Sequence, residues 1–221
     1  MDDPIGPDQW LAVEELLDRL LIGDDSALSA ALADSEAAGL PPIEVSAQSA
    51  RMLYLLVKIA GARRVLEIGT LGAFSTICLA RGVGAEGIVV TCESNTRHAE
   101  VATRNLQRAG LSDRVDIRHG RALEILPGLT GDFDLVFIDA DKENNAAYVE
   151  HAIRLGRPGT VIVVDNAVRF GRILIPDEED HQARGVRQML DLVSGNPRLE
   201  AAAIQTVGAK GWDGFLLARV R

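Results

Sequence analysis

From Arg63 onward, short runs of β-branched and apolar residues alternate with amphipathic stretches of helical spacing, and that alternation confines the chain to few folds. Val65 to Ile68, Ile88 to Cys92, Val115 to Ile117, Leu135 to Ile138 and Val161 to Val164 read as strands. Helical segments near 73–82, 95–109, 120–129 and 144–156 separate them, punctuated by Gly110, Gly131 and Pro158-Gly159. Strands that alternate with helices pair in parallel, because a parallel neighbour is reached only through a crossover. After a further helix from about 180 to 194, Leu199 to Thr206 and Gly214 to Val220 are separated by Val207-Gly208-Ala209-Lys210-Gly211, too short for a crossover helix. The last strand is therefore predicted to run antiparallel. The expected fold is α/β, a doubly wound and mostly parallel seven-stranded sheet with its last strand antiparallel and helices on both faces.

Ahead of this core, residues 7 to 22 carry Trp10, Leu11, Val13, Leu16, Leu17, Leu20 and Leu21 as one apolar stripe at helical spacing. An Ala-rich helix is predicted from Asp24 to Ala38, and Ser46 caps a third that Gly61 closes. The organisation expected is one domain over 1–221, with N-terminal helices (1–60) forming a cap or interface on a core (61–221). A chain of 221 residues buries roughly 70% of its unfolded surface in one core. Its 23 Lys and Arg against 32 Asp and Glu leave a formal charge of −9, with the basic residues scattered, which excludes a backbone-tracking nucleic-acid binder. Met1-Asp2-Asp3-Pro4 is acidic where a secretory leader would be basic, and no stretch reaches the roughly 18 apolar residues of a membrane span. The expectation is a cytoplasmic protein with no membrane partner. Cys78 and Cys92 sit among apolar residues and read as core.

The first strand leads into Glu67-Ile68-Gly69-Thr70-Leu71-Gly72-Ala73-Phe74-Ser75, a glycine turn where a doubly wound sheet binds ligands. A dinucleotide fingerprint fails here, since Leu71 and Phe74 stand where its second and third glycines belong. What remains is E-x-G-x-x-G, with a second acid, Glu93, at the end of the next strand; its carboxylate has the acceptor pair that a vicinal diol wants. Glu67 could instead pair with Arg63 or Arg64, and Glu93 could be a solvated acid. The arrangement resembles class I S-adenosylmethionine-dependent methyltransferases, whose glycine loop wraps the methionine end of the cofactor and whose second acid takes the ribose hydroxyls.

Phe133 to Ile138 ends in Asp139-Ala140-Asp141-Lys142, and Val161 to Val164 ends in Asp165-Asn166. If the two strands are parallel neighbours, Asp139, Asp165 and Asn166 meet at one sheet edge. Three oxygen donors favour a hard cation such as Mg²⁺, which keeps open positions for substrate oxygens. His98, His119, His151 and His181 have no metal-ligand spacing. Singly, these residues read as caps and turns, and Lys142 as a solvated lysine. Asp141, Glu143, Asn144 and Asn145 read as turn and cap residues, Trp212 as packing, and Asp213 stays open.

Together with Glu67-Ile68-Gly69-Thr70 and Gly211-Trp212-Asp213-Gly214, these motifs resemble the cation-dependent O-methyltransferases, the group of catechol and caffeoyl-CoA O-methyltransferases, over roughly residues 40–221. The resemblance implies a Rossmann-like fold and metal ligands at Asp139, Asp165 and Asn166. It puts the catalytic lysine at Lys142 and cofactor contacts at Val45, Glu67, Gly69, Ser75, Glu93, Ala122 and Asp139, some through backbone atoms. It further implies S-adenosylmethionine, Mg²⁺ or another divalent cation such as Mn²⁺ or Ca²⁺, a small phenolic acceptor, and a homodimer. Ser49 departs from the Gly that bacterial relatives often carry there. Methyl transfer to one hydroxyl of an aromatic vicinal diol is the activity expected, with Lys142 taking the proton and substrate choice carried by residues 167–176 and the N-terminal helices. The rival readings are a metal-independent methyltransferase, a nicotinamide dehydrogenase and a non-catalytic cofactor-binding protein.

Overall fold

Five strands lie parallel: β1 (Arg64–Ile68), β2 (Ile88–Glu93), β3 (Val115–His119), β4 (Phe133–Ile138) and β5 (Gly156–Asp165). With β6 (Leu199–Gly208) and β7 (Gly211–Val220) they form one seven-stranded sheet in the order β3-β2-β1-β4-β5-β7-β6. β7 inserts between β5 and β6 and runs antiparallel to both, as the short connection before it requires. The computed structural model describes residues 6–221, so the acidic opening at residues 1–4 lies outside the described residues. Among the described residues, no helix is long and apolar enough to cross a membrane.

The strand order reverses between β1 and β4, and a crevice opens there at the carboxyl ends of the strands. β1 is buried on both faces, which is why it carries consecutive apolar residues. Leu66 and Ile68 point into one core layer with Val136, Ile138, Val149 and Met189, while Val65 points into the other with Leu53, Val57, Ile77 and Leu135. The first layer is covered by α6 (Ala122–Ile125), α7 (Asn145–Leu155) and α8 (His181–Ser194). The second is covered by α2 (Ser26–Ala37), α3 (Ala47–Ala60), α4 (Phe74–Val83) and α5 (Thr96–Arg108). Cys78 and Cys92 are free and buried, one in each layer.

Side-chain caps fix where the helices start: Asp25 accepts from the Ala27 and Leu28 amides, Ser46 from Ser49, Asn95 from Arg97 and His98, and Asp180 from Ala183. Ion pairs tie α2 to the core, Asp25 to Arg81 at 2.5 Å and Asp34 to Arg108 at 2.6 Å. The predicted helix over 7–22 divides into α1 (Pro7–Leu17) and a π turn, Asp18–Ile22, which Gly23 ends in the left-handed region. From that turn Asp18 accepts from Gln48 Nε2 at 2.8 Å, joining it to the start of α3.

Three boundaries differ from the sequence reading. The helix expected over 120–129 is only α6 followed by a 3₁₀ turn, Leu126–Gly128, because Pro127 has no N–H to continue the ladder. β5 starts five residues before Val161, and Pro158-Gly159, read as a break, lies inside it where pairing with β4 is irregular. The β6–β7 connection shrinks to Ala209 and Lys210, since Val207 and Gly208 still pair with Trp212 and Gly211.

Candidate active site

A cavity of about 1390 Å³ occupies the crevice. Val45, Gly69, Ser75, Glu93, Ala122, Asp139, Lys142, Asp165 and Asn166, all expected at the site, line it. Glu67 does not, and lies beneath its floor.

Glu67 points to the α4 side of the sheet and is fully buried. Ser75 Oγ, Thr76 Oγ1 and Thr91 Oγ1 donate to its carboxylate at 2.6, 2.6 and 2.7 Å. Burial pushes its pKa up from 4.5 to about 7; the three hydroxyl donors oppose that rise, and the charge of Asp139 adds to it. Its hydrogen-bond partners are these hydroxyls and not Arg63 or Arg64; the Arg64 guanidinium donates to the Thr130 carbonyl at 3.2 Å instead. Glu67 thus holds α4 and β2 against β1 beneath the glycine turn.

In that turn Gly69 has φ +103°, and a Cβ on it would lie 2.1 Å from the Asp139 carbonyl oxygen. Only glycine permits both the conformation and the approach. Leu71 and Ala73 are also left-handed, at φ +50° and +70°. Glu93 stabilises the bend, its Oε2 accepting from the Thr70 and Leu71 amides at 3.3 and 2.9 Å and its Oε1 from Asn95 N–H at 2.8 Å. Gly72 faces away from the cavity, against Ser35 of α2.

On the far side of the switch point, the register pairs Ile138 with Val164, so Asp139 and Asp165 leave adjacent strands side by side. Burial pushes the Asp165 pKa well above the ordinary carboxylate range, the nearby Asp139 charge adds to the rise, and the Lys142 ammonium opposes it. Lys142 opens a 3₁₀ turn, is itself buried, and donates from Nζ to Asp139 Oδ1 at 2.6 Å. Gly185 of α8 lets that turn pack closely, since a Cβ there would fall 2.3 Å from the Lys142 carbonyl oxygen. Asp141 accepts from Tyr148 Oη at 2.5 Å and from Asn144 Nδ2, the turn role expected of it. Asn166 is left-handed at φ +59° and donates from Nδ2 to Asp213 Oδ2 at 3.2 Å.

The donor set suits a hard divalent cation. Among the described residues no group of three or more His, Cys, Asp or Glu is placed to hold a metal. The set here is instead two carboxylates and an amide. Two carboxylates close enough for one to raise the other make a site short of positive charge, and every donor is oxygen.

The remaining wall mixes polar side chains such as Gln9, Glu14, Gln48 and Lys210 with an apolar stretch, Trp10, Val13 and Leu17 of α1; Phe170 also lines the cavity. The helical stripe in residues 7–22 signalled α1, whereas nothing local in the sequence singled out Gly185 or the hydroxyl cluster under Glu67. Trp212 does not line the cavity; its Nε1 donates to Gln205 at 2.8 Å and its ring packs on Gly171, as the packing reading expected.

Known proteins share this architecture. A family profile described as O-methyltransferase matches residues 25–220. Catechol O-methyltransferase of Mycobacterium tuberculosis is 60% identical over 210 residues, covering 95% of each chain. The crystal structure of an O-methyltransferase from Bacillus cereus in complex with SAH superposes with a TM-score of 0.95 at 47% identity, over 97% of this chain and 99% of that one. An O-methyltransferase from Streptomyces achromogenes involved in tomaymycin synthesis, in complex with SAM, gives 0.94 at 42%, over 98% and 99%.

The burial of Glu67 has a measurable consequence. Its proton is held more tightly in the folded chain than in the unfolded one, so its contribution to stability is fully present below about 4.5 and is lost as pH rises through about 7. Thermal melts of the native protein and of Glu67→Gln should therefore diverge across that window, the native chain losing stability relative to the variant. Curves that stay parallel from pH 4.5 to 8 would show that Glu67 titrates as it does in water.

Proposed function

The chain belongs to the O-methyltransferase family and is an O-methyltransferase; from that premise we propose that it moves the methyl group of S-adenosylmethionine to one hydroxyl of a small aromatic vicinal diol, at a site completed by a divalent cation. One observation carries this reading: Asp139, Asp165, Asn166 and Lys142 line the same cavity as the Gly69 turn, at the carboxyl ends of neighbouring strands. The name of the mycobacterial relative, catechol O-methyltransferase, supports a vicinal diol as acceptor. The apolar stretch of Trp10, Val13 and Leu17 suits an aromatic ring.

Asp139, Asp165 and Asn166 would hold Mg²⁺, or Mn²⁺ or Ca²⁺ in its place. Bound there, the cation supplies Lewis acidity toward a phenol whose pKa near 10 leaves it mostly neutral at pH 7. S-adenosylmethionine supplies a methyl group already activated by its sulfonium. The chain supplies position. Glu93 would offer carboxylate oxygens to a ribose diol from the end of β2, and Val45, Ser75 and Ala122 line the same cavity as the Gly69 turn. Lys142, shielded from bulk water and steadied by Asp139, is the group placed to take the hydroxyl proton. Alignment of donor and acceptor at near-attack distance is worth roughly 7 to 11 kcal/mol in such reactions, more than proton transfer alone provides.

Two free, buried cysteines suit a reducing compartment, and we place the enzyme in the cytoplasm. The exposed Leu11, Leu16, Leu20 and Leu21 of the N-terminal helix support a homodimer. Sedimentation velocity should then give twice the 23.7 kDa chain mass; a monomer at micromolar concentration would remove the dimer.

The deciding test is mass-spectrometric detection of methylated product from a panel of catechols and caffeoyl compounds with S-adenosylmethionine, in Mg²⁺ and in EDTA. Product that disappears in EDTA is expected. Product that persists would leave a metal-independent methyltransferase, and binding of S-adenosylhomocysteine without product from any acceptor would favour a non-catalytic binding protein. Lys142→Ala should lower turnover by roughly 10² to 10⁴; a small, pH-independent loss would make Lys142 a substrate-positioning group instead.

A further inference from the structure

Asp213, at the start of β7, is the point on which the segment after β5 is fastened. Its Oδ1 accepts from three backbone amides: Val168 at 3.0 Å, Arg169 at 2.9 Å and Gly214 at 3.0 Å. Its Oδ2 accepts from the side-chain nitrogen of Asn166 at 3.2 Å. The Ala167 amide donates to the Gly214 carbonyl at 2.8 Å, so the two strand ends are also joined through backbone. The segment held this way is strained: Asn166, Arg169 and Phe170 have φ of +59°, +53° and +56°, a region that residues with a Cβ rarely occupy.

The polarity of this contact follows from chemistry. Carboxylate oxygens accept and do not donate, whereas a primary amide has one accepting and one donating end. Facing Asp213, Asn166 must present its nitrogen, and its carbonyl oxygen is left as the end available on the cavity side. Were the amide reversed, two acceptors would face each other and the cavity would receive an N–H group that no cation can use. We propose that Asp213 is a positioning residue, fixing the Asn166 amide so that its oxygen serves as a ligand to the divalent cation and clamping residues 167–170 beside it. The proposal rests on the metal reading above and adds to it a group that need not touch the cation.

The three amides on Oδ1 make Asp213→Asn an informative change. The new amide should keep its oxygen on those donors, because its nitrogen cannot accept from them, and so its NH₂ replaces Oδ2 and confronts the nitrogen of Asn166. Asn166 then has to reverse. Groups that orient a metal ligand typically change metal affinity 10- to 100-fold. Titration of the intact protein with Mn²⁺, followed calorimetrically or by loss of the free-ion electron paramagnetic resonance signal, should show D213N weakened by about that factor, with affinity for S-adenosylhomocysteine within about twofold of native. D213E keeps the charge but displaces the carboxylate by a methylene, and should also weaken Mn²⁺ binding severalfold.

The double variant N166D/D213N exchanges the two groups, letting the amide introduced at position 213 donate to the carboxylate introduced at position 166 across the same contact. It should recover Mn²⁺ binding to within a few-fold of native. Native-like Mn²⁺ affinity in D213N, or in D213E, would overturn the positioning role, the latter by showing that charge alone matters. A D213N protein that loses S-adenosylhomocysteine along with Mn²⁺, and that the exchange does not rescue, would overturn it in favour of a general structural role. Native protein that takes up no Mn²⁺ would overturn the metal reading and this proposal with it, whereas uptake abolished in D139A but unchanged in D213N would overturn this proposal alone.

Discussion

The site depends on the contact between Gly69 and the end of β4. Gly69 lies so close to the Asp139 carbonyl that a single methyl group would not fit, and the Asp139 amide in turn donates to the Ile68 carbonyl at 2.9 Å. One side of this contact is the glycine turn, where the proposed reading seats the cofactor; the other is the first carboxylate of the oxygen cluster. The separation of the two halves is set by main chain, not by side-chain rotamers. Backbone is the stiffest material available, and a reaction that needs two molecules in line gains most from stiffness at that seam. Glu67 reinforces the seam from below, where its three hydroxyl donors draw α4 and β2 toward β1.

A buried carboxylate is an expensive way to hold a floor together, and among the described residues burial raises the pKa of two, Glu67, fully buried and pushed up to about 7, and Asp165, half-buried and pushed above the ordinary carboxylate range. Their surroundings separate their roles. Glu67 is enclosed by hydroxyls that satisfy it, so it is complete as it stands. Asp165 accepts from the Asn166 backbone amide at 2.8 Å and is crowded by Asp139, with Lys142 as the nearest compensating charge. A carboxylate that is complete reads as architecture, and one that lacks compensation reads as a ligand waiting for charge. That contrast, more than the net charge of −9, supports the proposed placing of a cation at the β4–β5 edge.

How much of this was legible in the sequence differs from feature to feature. The strands and the acids that follow them were readable because each is a contiguous signal: an apolar run, then Asp139-Ala140-Asp141-Lys142, or Asp165-Asn166. The direction of the last strand was readable from the length of one connection. The true start of β5 was not, since Pro158-Gly159 ordinarily breaks a strand and is tolerated here only where pairing with β4 is already irregular. The position of Glu67 was half readable: the strand placed it at the carboxyl edge, but which face it took and which hydroxyls awaited it depended on residues up to 24 positions away. The placement of Asp213 lay further out of reach. It meets Asn166 across 47 residues only because β7 turns back and inserts beside β5.

On the proposed function, the N-terminal helix is the element that has most room to vary with the acceptor. α1 has no residue in the core, yet Trp10, Val13 and Leu17 form a wall of the cavity. Polar contacts tie it and the π turn after it to the rest: the Ala209 amide at the tip of the β6–β7 hairpin donates to Glu14, and Gln48 donates to Asp18. An element outside the core can change its cavity-facing residues without repacking the sheet. On the proposed function, the acceptor's ring meets this wall, while its oxygens meet a cluster held to the sheet through Gly69 and Gly185. The proposed function thus ties the chemistry to the sheet and the choice of acceptor to a helix outside the core.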